Sequence, residues 1–179
     1  MLIGETDLQK MLPAQKAAHD LIASGPRGSV PYPFLAMLDA PKFAEAIQGV
    51  GEAIRYHGTL DDRLREIAIC AAGAAYGSGY EWNYHDEIAV KLGMTPAERQ
   101  GILDGSGEGL AEAEALCVRY IFSAIRDRAA DQALLAGLVA AYGREAATEL
   151  TVIAGYYPLL ALFLSAGQLD RPLPERITP

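Results

Sequence analysis

The 179-residue chain is 51% apolar and carries a formal charge of −8 at pH 7, from 15 Lys and Arg against 23 Asp and Glu. That length suits one domain with a real core, so residues 1–179 are read as a single domain. The acid excess argues against nucleic acid, whose phosphates call for clustered Lys and Arg, and against an anionic membrane surface. It reads as ordinary solubility charge. Ala and Leu dominate over Val, Ile and Thr, which favours helix over sheet. Cys70 and Cys117 lie far apart and form no Cys-x-x-Cys, the usage of two buried thiols in a reducing compartment. The N-terminal Met-Leu-Ile-Gly-Glu-Thr-Asp has no basic stretch followed by an apolar one, so no secretory signal is evident and a cytoplasmic protein is expected.

Residues 6–24 have helical spacing, with Leu8, Leu12, Ile22 and several alanines. Residues 24–33 are too rich in Pro and Gly for a helix and predict a shaped loop that wraps a neighbour or covers a cavity. Pro41 suits the first turn of the next helix, in which Phe43, Ile47, Val50 and Ile54 form the inward stripe and which Gly58 ends. Residues 59–62 offer N-caps for a central Ala-rich helix over about 60–76. Gly77-Ser78-Gly79 then breaks or kinks the chain. The following helix opens with Glu81, carries His85, and runs to about Leu92, closed by Gly93. Thr95-Pro96-Ala97-Glu98 is a capping box with proline at the first helical position.

Residues 101–109 are polar and glycine-rich, a turn or mobile loop without the Gly-Lys-Ser/Thr ending of a phosphate loop. Helices are expected over about 110–128, over 131–142 with Asp131 as cap, and over 144–166, the most apolar of all. Residues 150–167 contain no charge. Their borderline length and the interior Gly155-Tyr156-Tyr157-Pro158 favour a helix buried in an oligomer over a membrane span. The Pro-rich tail after Asp170 is expected to be extended. No repeat of fixed period and no alternating strand is visible. The sum is an all-α domain of seven or eight helices.

Glu81 and His85 are one helical turn apart, so they share a face. That face continues through Ile88, Ala89 and Leu92, while Asn83, Glu87 and Lys91 fall on the other side. Glu66 is flanked by Ile69 and Cys70 one turn on and also points along an apolar face, whereas Arg63 and Arg65 can reach solvent or an acid. Buried polar groups need a partner. Two readings therefore stand side by side: a satisfied structural hydrogen bond, or acid–base chemistry in which a carboxylate fixes the imidazole tautomer. The spacing of Glu66, Glu81 and His85 lacks the recurrent pattern of zinc or di-iron motifs, so no metal is expected. Ser78 lacks the preceding strand and the Gly-x-Ser-x-Gly of a nucleophile elbow, and reads as a cap or a single hydrogen-bond donor. Tyr76, Tyr80, Trp82, Tyr84, Tyr156 and Tyr157 are candidates either for core packing or for an aromatic pocket. His19 and His57 have no evident partner and read as surface or helix-end residues.

The run Leu60-Asp-Asp-Arg-Leu-Arg-Glu66-Ile-Ala-Ile, followed by Tyr80-Glu-Trp82, His85, Ala89 and Gly93-Met-Thr, resembles the carboxymuconolactone decarboxylase family, which includes the AhpD-like alkylhydroperoxidases. Pro26-Arg-Gly28 with Pro31, Pro33 and Phe34 looks like the loop of its longer members, and Gly155-Tyr-Tyr-Pro-Leu like their last helix. The resemblance implies an AhpD-like all-helical fold that assembles as trimers or hexamers, with the active site near the two-helix motif and often at a subunit boundary. The peroxidase branch has Glu, then Cys-x-x-Cys, then His. In register, Glu66 and His85 match the Glu and His, but Ser78 and Glu81 stand at the two cysteine positions. Without thiolates there is no sulfur to attack a peroxide, and Cys70 lies two turns from Ser78 with no resolving partner. The decarboxylase branch carries Glu-x-x-x-His at the positions of Glu81 and His85.

The leading expectation is a cofactor-independent acid–base enzyme on a small carboxylated or lactone metabolite, of the carboxymuconolactone decarboxylase type found in aromatic compound catabolism. His85 would be the general acid/base; Glu81 would orient it or take the second proton. Glu66 would hold a water or a substrate hydroxyl. Ser78, Tyr80 and Trp82 would contact substrate, and Arg27 would bind its carboxylate as a bidentate partner. The alternatives are an AhpD-like peroxidase or antioxidant protein, and a non-catalytic helical oligomer that binds a ligand in the same pocket.

Overall fold

Proline and glycine punctuate the chain into helices, and a computed structural model describes residues 1–177. The helices are α1 (Pro13–Ala23), α2 (Tyr32–Ala36), α3 (Pro41–Glu52), α4 (Asp62–Tyr76), α5 (Gly79–Lys91), α6 (Pro96–Asp104), α7 (Glu112–Arg126) and α8 (Gln132–Ala166). A π-helical turn, Ala53–His57, extends α3. No strand occurs among the described residues. The chain divides into two compact units, one of residues 1–57 with 159–170, the other of residues 58–158 with the segment from Arg171 onward.

In the first unit α1 packs on α3. The inward residues are Gln15, Ala18 and Ile22 from α1, and Ala44, Gln48 and Gly51 from α3. The stripe expected on α3 is thus one residue out of phase. Phe43 is 68% and Val50 41% exposed, and only Ile54 of the four is buried. The small residues Ala18, Ala44 and Gly51 allow close packing, and that face is the one turned inward. Helix α1 also begins later than the spacing suggests, because Pro13 supplies a first-turn residue and the Asp7 carboxylate takes the Gln9 N–H in a turn ahead of it. The expected loop over residues 24–33 gives way at Tyr32 to the short α2, which starts after Pro31.

In the second unit α4 is central and packs on α5, α6 and α7. Ten of its fifteen residues are buried, which its alanines permit by filling little volume on every side. Asp61 caps it by accepting from the Leu64 N–H at 2.8 Å. Gly77, at φ 96°, ends it in the left-handed region. Gly73 lets α5 approach closely, since a Cβ there would lie 3.0 Å from the Trp82 backbone nitrogen and 3.3 Å from the Glu81 Cβ. The Thr95–Glu98 capping box forms in both directions at the start of α6. Two ion clusters tie these helices: Arg63 of α4 to Glu98 and Glu114, and Arg99 of α6 to Asp86 of α5 through two bonds of 2.6 Å.

Gly143, at φ 86° and ψ 169°, breaks α8 into the two helices the sequence suggests, and Asp131 caps the first. By length and composition α8 can cross a membrane. Half of its most apolar window is buried, as in a core helix.

Candidate active site

The site is made where α4 and α5 meet. Both helices are anchored locally: α4 by its Asp61 cap, and α5 by the fully buried Ser78, whose Oγ accepts from the Glu81 N–H at 3.4 Å. The Gly79 N–H, one of the donors that a helix start leaves without an internal partner, donates to the Arg171 carbonyl at 2.9 Å.

These anchors bring three titratable side chains together. His85 Nδ1 is 2.6 Å from Glu66 Oε2, and His85 Nε2 is 3.9 Å from Glu81 Oε2. All three are buried, with side-chain exposures of 4%, 0% and 4% for His85, Glu66 and Glu81. The short contact is a hydrogen bond from Nδ1–H to Glu66, the charge-assisted kind. It fixes the tautomer and turns Nε2 towards Glu81, at a separation beyond hydrogen-bond range. Arg65 Nε stands 3.7 Å from Glu66 Oε1 while its guanidinium binds Asp62, so α4 brings a cation to the outer side of the buried carboxylate.

Aromatic rings enclose the imidazole. Tyr84 meets it edge-on at 5.1 Å between centroids, and Tyr157 of α8 at 5.3 Å and 88°. Tyr156 packs against Tyr157, and Tyr80 stacks on Tyr84 at 6.3 Å. Such contacts hold a ring in one orientation.

Of the residues singled out in the sequence, Glu66, Glu81 and His85 converge, Ser78 caps α5 beneath them, and Tyr80 flanks them through Tyr84. Trp82 is a core side chain, 1% exposed. Arg27 belongs to the other unit, where its guanidinium lies 5.3 Å from the Phe34 ring centroid. His19 and His57, read as lacking partners, each face a carboxylate: Asp20 at 3.1 Å and Glu52 at 3.7 Å. Two contacts were not singled out in the sequence: the Glu66–His85 bond and the Arg171–Gly79 bond. Both join residues whose proximity is set by tertiary packing. Glu66 carried a signal in its apolar flanks; Arg171 carried none.

The two cysteines are free and buried. Burial pushes the Cys70 thiol well up, and the nearby Glu66 and Asp86 charges push it further. Burial likewise raises Cys117. Neither has the lowered pKa of a reactive thiolate. Among the described residues no group of His, Cys, Asp and Glu has a metal-holding arrangement.

Residues 41–115, which contain Glu66, Ser78, Glu81 and His85, match the family model described as the carboxymuconolactone decarboxylase family. Solved structures share the architecture. A variant of the debrominase Bmp8 in complex with 2,3,4-tribromopyrrole superposes with a TM-score of 0.74 at 18% identity, covering 96% of this chain and 91% of that one. The apo debrominase gives 0.73 at 18%, covering 98% and 92%. An AhpD-core, uncharacterized peroxidase-related protein from Ralstonia eutropha JMP134 gives 0.71 at 17%, covering 95% and 90%. At these identities the likeness speaks to the fold. No protein of curated function matches the sequence.

Proposed function

We propose, from the match of residues 41–115 to the carboxymuconolactone decarboxylase family model and from the AhpD-like helical fold, that the chain is a cofactor-independent acid–base enzyme acting on a small carboxylated or lactone metabolite. The observation that carries the reading is the buried imidazole of His85 held between two buried carboxylates at unequal distances, 2.6 and 3.9 Å. The imidazole is tight against Glu66, and its other nitrogen faces a second buried carboxylate at a longer separation, so the two carboxylates are placed for different roles.

In this reading Glu66 orients the ring and His85 Nε2 is the working nitrogen. His85 enters as the imidazolium: as the bond to the departing carboxylate breaks, its electron pair stays on the substrate carbon and takes the proton from Nε2, which leaves the neutral Nδ1–H ring. Carbon dioxide leaves, Glu81 in its protonated form returns a proton to Nε2, and solvent reprotonates Glu81. The geometry thus favours Glu81 as the second proton carrier over Glu81 as the orienting group. A positioned acid–base group of this kind contributes typically about 10²–10⁴-fold. Unreactive, buried Cys70 and Cys117 support acid–base chemistry over thiol peroxidase chemistry.

With this reading goes a homo-oligomer, a trimer or hexamer. Exposed Phe43, Leu21 and Val50 in the first unit support it. Sedimentation should give a multiple of the chain mass that Phe43→Lys reduces, and a monomeric wild type sinks the proposal.

A thermal-shift screen tests the function. Carboxylated lactones, ring-cleavage acids and related aromatic metabolites are offered to wild type and to His85→Ala. A ligand that stabilises the wild type and loses that effect in the variant is the expected result. A panel that shifts neither protein contradicts the small-acid reading.

A further inference from the structure

Gly79 opens α5, the helix that carries Glu81 and His85, and the C-terminal segment of the chain rests on it. Besides the 2.9 Å bond from the Gly79 N–H to the Arg171 carbonyl, the two backbones touch. A Cβ at position 79 would lie 2.2 Å from the Pro172 carbonyl oxygen and 2.5 Å from that of Arg171. Only glycine admits the segment at this spot. Its far end is tied as well, since the Ile177 N–H donates to Gln100 Oε1 of α6 at 2.9 Å. Between the two ties stand Pro172 and Pro174, whose fixed φ stiffens the connection.

The same first turn of α5 meets α4 at Gly73, again without a side chain between, 3.0 Å from Cβ position to the Trp82 nitrogen and 3.3 Å to the Glu81 Cβ. Glu81 therefore sits in a turn held by backbone contacts to both α4 and the C-terminal segment. The third local tie, Ser78 Oγ to the Glu81 N–H, is 3.4 Å, longer than the 2.9 Å bond to the Arg171 carbonyl.

We infer that residues 171–177 act as a strap that positions Glu81 against His85 through Gly79, making Gly79 and the strap positioning elements of the site. The effect on turnover rests on the acid–base reading given above; the effect on the imidazole does not. If the strap merely rested on α5, the methyl of Gly79→Ala would lift it away and leave the Glu81–His85 separation unchanged. If the strap sets the turn, the added methyl displaces it and the Glu81–His85 separation changes.

The test follows the ring ¹H–¹³C NMR signals of the three histidines with pH, in full-length wild type, Gly79→Ala and Gln100→Ala, without substrate. The titratable side chains set against His85, namely Glu66 of α4, Glu81 and Tyr84 of α5, and Tyr157 of α8, are unaltered in both variants. The expected result is that the His85 signals and their pH dependence move in Gly79→Ala, while His19 and His57 behave as in wild type. Gln100→Ala moves His85 in the same direction by less. On a substrate, kcat falls with KM nearly constant, by up to about 10²-fold if the displacement approaches 1 Å. A folded Gly79→Ala whose His85 signals superimpose on those of wild type overturns the inference. Should that variant not fold, unchanged His85 signals in Gln100→Ala overturn it equally. A wild type without turnover on any acid or lactone removes the acid–base reading and leaves the NMR result to decide the strap.

Discussion

Two clusters in the same unit have the same composition, one nitrogen base between two carboxylates, and opposite character. Arg63 binds Glu114 at 2.6 Å and Glu98 at 2.5 Å, with side-chain exposures of 33%, 17% and 15%. His85 binds Glu66 at 2.6 Å and faces Glu81 at 3.9 Å, with all three side chains at 4% or less. The guanidinium is permanently charged, and its bond to Glu114 raises its pKa further against the opposing effect of burial. Water screens it, and both of its contacts are closed. The imidazole can change charge, is buried, and faces its two carboxylates at unequal distances. A permanently charged, half-wet cluster ties helices together; a titratable, buried one can move a proton.

Exchanging the two central residues gives the largest contrast. His85→Gln should lower turnover by about 10²–10⁴-fold with little change in melting temperature. Arg63→Ala should leave turnover near wild type and destabilise by about 1–2 kcal/mol, discounted for solvent, because two carboxylates are left facing each other. Melting curves and rates on the same preparations check this. Loss of stability without loss of rate in His85→Gln would make the two clusters alike.

Acid should separate them next. Burial pushes the Glu98 carboxyl up, but the Thr95 N–H and the Arg63 guanidinium outweigh it and hold it below its ordinary 4.5. A carboxyl lowered in the folded state contributes stability that is present above its unfolded value and is lost as pH falls through its folded value. Thermal melts of wild type should therefore weaken as pH drops below about that ordinary value, and Glu98→Gln should flatten this part of the profile without touching the pH dependence of turnover. A rate profile that shifts in Glu98→Gln would join the two clusters after all.

Packing beneath the dry cluster offers a smaller effect. Gly73→Ala places a methyl against the first turn of α5 and should cost about 1–3 kcal/mol by overpacking, measured by denaturant unfolding. The smallest effect belongs to the thiols. Cys70→Ser with Cys117→Ser should keep full turnover, and a thiol reagent should label the native wild type only at its unfolding rate. Thiol-dependent consumption of a hydroperoxide that disappears in the double variant would replace acid–base chemistry with redox chemistry.

What was legible in the sequence divides along local and tertiary lines. The capping box at Thr95, the Asp61 and Asp131 caps and the breaks at Gly77 and Gly143 depend on residues a few positions apart, and the helices fall close to where those signals put them. The shared face of Glu81 and His85 is a property of one helix and was equally readable. The Glu66–His85 bond was not, because its 19-residue separation crosses the Gly77–Gly79 turn, whose angle no local pattern specifies. On α3 the large apolar residues drew attention to Phe43 and Val50, yet the buried side is the small one of Ala44 and Gly51. Hydrophobic spacing marks a stripe; which stripe is covered depends on how closely a neighbour can approach.

The measurement closest to the central claim is NMR of candidate acids and lactones turned over in deuterated water by wild type and by His85→Gln. Acid–base chemistry at His85 predicts a product carbon carrying solvent deuterium with the wild type and none with the variant. Equal deuterium in both, or product formed by the wild type without any, would contradict it.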